Sequence, residues 1–249
     1  MASTARNPRN LLPVFFVVVT AALIGLCLLL GLSRKSPAAA TEAPAEDTQP
    51  SDRTSIRTVV IDPGHGGEDG GTQSADGMYE KDLNLSVALL LRDLLEANGV
   101  PVVLTRNEDV LLYDRNGNHQ GHKKRMDLAS RLSTAQHTED SLFISIHMNA
   151  FPQSQYHGLQ VWYGTGDPLS AEIASNIQGK ARALLQPDNA RRTKAATDAI
   201  YLLKQLESPA VLVECGFLSN PEEATRLAEA DYRQQLALVI FSAILPYLE

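Results

Sequence analysis

Hydrophobic and polar positions divide the chain into three parts. Residues 11–32 are 22 consecutive residues without a charged side chain, which is long enough to cross a bilayer of ~30 Å as a helix. Residues 33–55 are rich in Pro, Ala, Ser, Thr and acidic side chains and show no hydrophobic period, which is typical of a disordered tether. From residue 56 to residue 249 short apolar runs alternate with amphipathic ones, which predicts one folded domain.

The alternation within this domain predicts an α/β fold. Strand-like runs occupy residues 58–61, 101–105, 142–147, 159–163 and 210–214, and helix-like runs occupy residues 83–97, 124–135, 170–185 and 232–247. A further helix should begin at Asn220-Pro221, because Pro suits the first helical position and two glutamates follow in the first turn. We therefore expect a single domain with a mixed, mostly parallel sheet of about six strands, covered by helices on both faces.

The N-terminal apolar run predicts a transmembrane signal-anchor at residues 11–32, after a short cytoplasmic tail at residues 1–10. The alternative is a cleaved signal peptide that yields a secreted form, since residues 38–40 are three alanines that could serve as a cleavage site. The basic residues on the two sides of the run are nearly balanced, so the orientation rests on the short N-terminal tail. This predicts a single-pass protein of the cell membrane whose domain at residues 56–249 lies outside the cytoplasm.

Charge and cysteine content restrict the partners. The net charge is −7, and because residues 1–35 carry four basic and no acidic side chains, the remainder carries −11. A domain this acidic has no electrostatic reason to bind nucleic acid. The two cysteines, Cys27 and Cys215, lie in separate apolar segments, and no C-x-x-C pair is present. A bound metal would therefore be held by His, Asp or Glu.

Two of the six histidines follow apolar strands directly. His65 comes after the run VVIDPG, and His147 comes after LFISI. In open α/β sheets ligands gather at the carboxyl ends of the strands, so these two imidazoles are candidates for one site. The alternative is a pair of core histidines that make ordinary hydrogen bonds.

Two glutamates have matching positions. Glu80 stands at the entrance of the first helix, within a short loop of His65, where it would complete the His₂Glu set of catalytic zinc sites or simply favour the positive helix end. Glu214 ends the apolar run PAVLV, where a carboxylate is costly unless it is paired or catalytic. It could act as a general base and acid beside a metal, or pair with a neighbouring arginine.

Several blocks of the sequence resemble the zinc-dependent N-acetylmuramoyl-L-alanine amidases. These blocks are IDPGHGGEDGG, EKDLNLSVALLLRDLLEANGVPVVLTR, LASRLSTA, SLFISIHMNAF, GLQVWYG and SPAVLVECGFLSNPEEATRL, and they cover roughly residues 57–249. The resemblance implies one Zn²⁺ per chain held by His65, Glu80 and His147, with Glu214 as the catalytic acid and base. It implies hydrolysis of the amide between N-acetylmuramic acid and L-alanine in peptidoglycan.

The resemblance also suggests roles near the site for three further residues. Asp62 would orient the His65 imidazole or its loop, while Asn149 and Arg131 would contact substrate or support the ligands. Turn chemistry explains Asn149 about as well, and a structural ion pair is the first interpretation of Arg131.

The minimal architecture is most similar to the germination-specific, spore-cortex members of this family. The segment between His147 and the next strand is too short for the occluding helix of the septum-splitting members, and no wall-binding repeats are present. In a spore former such an enzyme would act between the forespore membranes and supply a deacetylase that forms muramic δ-lactam.

Four alternatives remain open. They are a general vegetative cell-wall amidase, a different zinc amidohydrolase or peptidase, an inactive wall-binding module, and an enzyme that needs an accessory protein to complete its zinc site.

Overall fold

The computed structural model describes residues 55–114 and 121–249, and all of them belong to one compact unit, Asp52–Glu249. Its sheet has six strands: β1 Thr58–Pro63, β2 Val102–Leu104, β3 Ser141–Asn149, β4 Gln160–Tyr163, β5 Lys194–Ala195 and β6 Ala210–Phe217. The spatial order is β2-β1-β3-β6-β4-β5. The first four strands in this order are parallel to one another, whereas β4 runs antiparallel to β6 and parallel to β5. The predicted mixed, mostly parallel sheet is confirmed.

The described residues form six α-helices, of which four lie between strands and two follow β6. They are α1 Glu80–Ala97, α2 Lys123–Gln136, α3 Leu169–Leu184, α4 Tyr201–Gln205, α5 Pro221–Ala228 and α6 Ala230–Ile244, and a 3₁₀ turn Leu245–Tyr247 follows the last. The helix predicted at Asn220 begins as expected, because the Asn220 side chain accepts a hydrogen bond from the backbone N–H of Glu223 at 3.0 Å. The short strand β5 and the short helix α4 were not predicted, since neither is long enough to show a hydrophobic period.

The helices form a layer on each face of the sheet. One face packs against α1, α3, α5 and α6 through strand residues such as Val59, Ile144 and Val213. The other face packs against α2 and α4 through the alternate residues Val60 and Phe143. Because successive strand side chains point to opposite faces, every buried strand needs apolar residues at nearly every position. Apolar runs rather than strict alternation are therefore what the sequence shows.

The prediction of a membrane-spanning helix is corrected. Among residues 55–114 and 121–249 no helix is long and apolar enough to cross a membrane. The longest described helix, α1, contains Glu80, Lys81 and Asp82 in its first turn and is amphipathic because it covers the sheet. Residues 11–32, on which the prediction fell, lie outside the described residues, as do residues 1–10 and nearly all of the expected tether. The single-pass membrane localisation is corrected on the same finding, and no anchor enters the function proposed below.

The topology brings four chain segments to one edge of the sheet. Strands β1, β3 and β6 are parallel neighbours, so their carboxyl ends lie together. The loop that leaves β1 returns as α1, which begins at the same edge. In the register of the sheet, Asp62 is paired with Ser145, and His147 is paired with Glu214. Residues far apart in sequence thus become neighbours at this edge.

Candidate active site

The loop after β1 places His65 through an unusual backbone conformation. His65 has φ 61°, in the left-handed region that non-glycine residues seldom adopt. Gly64, just before it, lies against the His147 ring: a Cβ at this position would be 2.2 Å from His147 Nε2. A glycine is therefore needed here so that the two imidazoles can approach each other. Their ring centroids are 5.0 Å apart.

The carboxylate of Glu80 joins the two histidines. Its Oε1 lies 3.2 Å from His65 Nε2 and 2.9 Å from His147 Nδ1, and it accepts a hydrogen bond from Met148 N at 3.1 Å. Its Oε2 accepts from the backbone N–H of Thr72 at 2.8 Å. The side chains of His65, Glu80 and His147 each offer one ligand atom, and these atoms lie within 4.8 Å of one another. This set could hold a metal ion.

The opposite charges in this cluster lower the pKa of Glu80 and raise that of His65. Burial opposes ionisation of Glu80, but the hydrogen bonds and charges of His147 and His65 outweigh it and hold the Glu80 pKa well below its usual range. Burial lowers the pKa of His65, yet Glu80 and Asp69 more than offset this effect, so the His65 pKa lies above its ordinary value. The Asp69 carboxylate lies 3.0 Å from His65 Nδ1. It would fix the ring so that Nε2 faces the ligand cluster.

Glu214 faces the same site from a different environment. It lies half-buried within β6, three residues before the strand ends at Phe217, and within the described part of the chain its buried Oε2 has no hydrogen-bond partner. Burial raises the pKa of Glu214 to about 7, and the charge of Glu80 adds to the increase. A carboxyl group with a pKa near 7 can both accept and donate a proton at neutral pH. Glu214 thus has the properties of a general acid and base.

A buried ion-pair network supports the loop that carries His65. Arg131 on α2 is 1% exposed and lies 2.7 Å from Asp62 Oδ1 and 2.8 Å from Asp127 Oδ2. It also donates hydrogen bonds to the carbonyl oxygens of Pro63 and His65, at 2.7 and 2.6 Å. Arg131 therefore holds the backbone of the loop from which the His65 side chain enters the site.

The structure places the three further candidates differently from one another. Asp62 is predicted to orient the His65 imidazole or its loop. Its carboxylate accepts hydrogen bonds from Thr105, Ser145 and Arg131, and Arg131 in turn binds the loop. Arg131 lines the cavity described below. Asn149 bridges β3 and the end of β6, because its carbonyl oxygen accepts from Leu218 N at 2.8 Å.

Two features of the site were missed in the sequence. Asp69, the ring partner of His65, lies four residues after it within GGEDGG, so an acid in the same loop was the available signal. Gly71 was equally hidden: a Cβ there would be 2.5 Å from Glu80 Oε2 and 2.8 Å from His65 Cδ2. Only the folded loop shows that both positions touch the ligand cluster.

A cavity of about 250 Å³ opens beside these side chains. One wall is polar and contains His65, His147 and Glu214. The other wall is apolar and comes from α4 and the residues before it, including Ile200 and Leu203. Such a combination suits a substrate that has a polar reacting group and an apolar neighbouring part.

Comparison with known proteins decides the family. A family model described as N-acetylmuramoyl-L-alanine amidase matches residues 59–246. The chain belongs to this amidase family. The germination-specific N-acetylmuramoyl-L-alanine amidase of Bacillus subtilis (strain 168) is 37% identical over 191 residues, which are 77% of this chain and 79% of that protein.

Two further proteins show the range of the similarity. The CwlD amidase from Clostridioides difficile, whose structure was solved in complex with the GerS lipoprotein, is 38% identical with a TM-score of 0.73, and the match covers 77% of this chain and 98% of that chain. The amidase LytC of Bacillus subtilis (strain 168) is 32% identical over 192 residues, which are 76% of this chain but 35% of that protein. The chain is an N-acetylmuramoyl-L-alanine amidase that acts on the cell wall, and it is similar to the germination-specific members.

Replacement of Gly64 by alanine should weaken metal binding by the amidase. The added Cβ would meet the His147 ring at 2.2 Å, so the ring would have to move out of the ligand cluster. Displacement of a ligand or its support typically costs about 10- to 100-fold in metal affinity. Chelator competition with Zn²⁺ as the probe would measure the loss. In the control Gly179→Ala on α3, nothing lies within 4 Å of the new Cβ. Equal affinity in both variants would contradict the crowding of the two histidines.

Replacement of Asp62 by asparagine should destabilise the amidase by about 3–5 kcal/mol, because it removes the carboxylate from a buried ion pair and leaves Arg131 with Asp127 alone. Urea unfolding at pH 7 would measure the change. The control Asp93→Asn affects a pair on the surface and should cost at most about 1 kcal/mol.

The free energies of unfolding of wild type and Asp62→Asn should become more similar in acid. Burial of Asp62 opposes ionisation, but Arg131 and the hydrogen bonds of Thr105 and Ser145 outweigh it and lower the Asp62 pKa. A lowered pKa stabilises the fold above the unfolded-state pKa of about 3.9, and this contribution is lost as the pH falls through the folded-state value. The stability difference between wild type and Asp62→Asn should therefore shrink below pH ~4. A difference that grows in acid would contradict the ion pair.

Proposed function

We propose that this amidase hydrolyses the amide between N-acetylmuramic acid and the L-alanine of the stem peptide, with one zinc ion per chain held by His65, Glu80 and His147. Two imidazoles and one carboxylate are the ligand set of many catalytic zinc sites, which keep a further position open. The observation that carries the proposal is the buried, unpartnered carboxylate oxygen of Glu214 at the same sheet edge as this donor set, among the residues described.

The residues of the chain have distinct tasks in this reaction. Zinc bound at the three ligands would supply Lewis-acid activation of water and polarisation of the scissile carbonyl. Glu214 accepts the proton that the attacking water loses. The oxygen of the water forms a bond to the lactyl carbonyl carbon, and the bond from this carbon to the alanine nitrogen breaks. Glu214 then delivers the proton to the departing nitrogen, which leaves a lactyl carboxylic acid and a free alanine amine, and the acid ionises at neutral pH.

Glu214→Gln should retain zinc and lose about 10²–10⁴-fold in cleavage rate, because the amide cannot carry the proton while the three ligands remain. Zinc content would be measured on the purified protein, and cleavage would be followed on purified sacculi as new L-alanine amino termini with intact glycan strands.

Glu96→Gln on the exposed side of α1 provides the matched control and should retain full activity. A Glu214→Gln variant that cleaves at the wild-type rate would remove Glu214 from the mechanism. Cleavage products other than L-alanine amino termini would favour a different amidohydrolase or a peptidase.

We infer a role in spore-cortex maturation. The similarity to the germination-specific amidase of Bacillus subtilis and to the CwlD amidase supports this role. The described segment between Asn149 and Gln160 contains no helix that could occlude the site. In this role the enzyme removes stem peptides, and a downstream deacetylase then forms muramic δ-lactam. Because the Clostridioides difficile amidase was solved with a lipoprotein, we also propose an accessory protein for this chain.

Deletion of the gene in a spore-forming host should abolish muramic δ-lactam in the cortex, because its precursor would keep its stem peptide. Mass spectrometry of cortex muropeptides would measure this, and complementation with the Glu96→Gln variant should restore the lactam. Normal δ-lactam in the deletion strain would instead favour a general cell-wall amidase, an alternative that the similarity to LytC supports.

A further inference from the structure

Arg191 lies in an aromatic setting on the Glu214 side of the site. The side chain is half-buried, and its guanidinium carbon lies 4.2 Å from the ring centroid of Phe217 and 5.9 Å from that of Tyr156. Tyr156 contacts Phe151 edge-on at 4.8 Å, and both of these rings are largely exposed. Together these rings form a shelf on which the cation rests.

Hydrogen bonds hold the guanidinium of Arg191 in one orientation. Its Nε donates to the carbonyl oxygen of His157 at 2.6 Å, and its Nη1 donates to Gln160 Oε1 at 3.1 Å. A guanidinium has five N–H groups, so these bonds use two of them. In the described part of the chain, Nη2 has no hydrogen-bond partner, and no carboxylate forms an ion pair with Arg191.

Of the two glutamates near Arg191, Glu223 is committed to backbone donors, whereas Glu214 keeps an unpartnered oxygen but forms no ion pair with Arg191 in the part of the chain that the structure describes. Burial lowers the pKa of Arg191, while Glu223, Tyr156 and Glu214 oppose the decrease. Of these groups, Glu223 accepts hydrogen bonds from the backbone N–H groups of Gly158 and Phe217. Among the described residues, Arg191 is therefore a hydrogen-bonded, partly desolvated cation with no carboxylate in direct ion-pair contact.

Arg191 is linked to Glu214 through one residue, Gln160, which is bonded to Arg191 and paired with Glu214 in the sheet. Its partner Gln160 lies on β4, directly opposite Glu214 on the antiparallel neighbour β6. Side chains of opposed residues stand on the same face, with Cβ atoms about 4.5–5.5 Å apart. Phe217, under the guanidinium, follows Glu214 by three residues. A group bound by Arg191 would therefore sit next to the bond that Glu214 helps to break.

The substrate can provide the missing anion. The stem peptide that begins at the scissile amide carries carboxylates, and a planar guanidinium binds a carboxylate through two parallel hydrogen bonds. The contact with the Phe217 ring and the two hydrogen-bond acceptors would suffice for a purely structural arginine, and they leave three of its five N–H groups unused. The N–H groups that remain open are what a ligand carboxylate requires.

We propose that Arg191 is a substrate-binding residue that pairs with a carboxylate of the stem peptide and makes the enzyme prefer a stem with free carboxyl groups. The proposal rests on the proposed function, since it assigns a subsite for the substrate of that reaction. The guanidinium is half-buried against Phe217 and Tyr156, and this partial desolvation strengthens the pair.

The test compares two substrates. Glycan oligosaccharides would carry L-Ala-D-Glu stems with free carboxyl groups or with both carboxyl groups converted to carboxamides. A charge-assisted hydrogen bond is worth about 1.5–3 kcal/mol, so the wild type should prefer the free acid by about 10- to 100-fold in kcat/KM. In Arg191→Gln this preference should vanish through a higher KM for the free acid, with kcat/KM for the carboxamide within about 3-fold of wild type.

Two further variants separate binding from folding. Arg191→Lys keeps the charge but loses the planar fork and should recover part of the preference. Arg192→Gln removes an exposed arginine side chain at the next position and should match the wild type. Gln160 Nε2 donates to the Arg192 carbonyl oxygen, and this backbone contact is kept in the variant. Calorimetric binding of both oligosaccharides to Glu214→Gln gives the same comparison without turnover.

The outcomes distinguish this proposal from the proposed function. Equal kcat/KM and equal binding for the two substrates, in a wild type that cleaves sacculi, would overturn the role of Arg191 alone. A loss of both substrates to the same extent in Arg191→Gln would show a structural role and also overturn it. A wild type that does not release L-alanine amino termini from sacculi would overturn the proposed function.

Discussion

The buried guanidinium of Arg131 connects the sheet to the loop that carries His65. It pairs with Asp62 at the end of β1 and with Asp127 on its own helix, and it binds the carbonyl oxygens of Pro63 and His65. A strained residue such as His65, with φ 61°, keeps its conformation only if its surroundings hold it there. The position of the first imidazole thus depends on an arginine that does not touch it, and the rest of the site is assembled around that imidazole.

Two carboxylates at this sheet edge differ because their environments differ. Glu80 receives hydrogen bonds from two backbone N–H groups and faces both imidazoles, so its ionised form is favoured. Glu214 has a buried carboxylate oxygen with no partner in the residues described and lies near that negative charge, so its neutral form is favoured and its pKa rises to about 7. One carboxylate suits a metal ligand and the other suits a proton carrier, which is the division of tasks that a metal-assisted hydrolysis needs.

The reversed strand β4 extends the site beyond these residues. Because β4 runs antiparallel to β6, Gln160 faces Glu214, and the loop that follows α3 brings Arg191 to the same place. His147 and Glu214 come from the parallel part of the sheet, whereas Gln160, which accepts a hydrogen bond from Arg191, comes from its antiparallel edge. The two parts of the sheet therefore meet at Glu214 and Gln160.

The sequence alone determined the elements, the residue types at the strand ends and the family. Apolar runs and helical periods sufficed for five of the six strands and for the long helices, because these patterns follow from burial on one or two faces. The strand order, the reversal of β4 and the close approach of Gly64 to His147 were decided only by the tertiary structure. So were the bond from Asp69 to His65 and the placement of Arg191. Each of these is a contact between segments whose local sequences would look the same in another arrangement, since packing between distant segments leaves no local period.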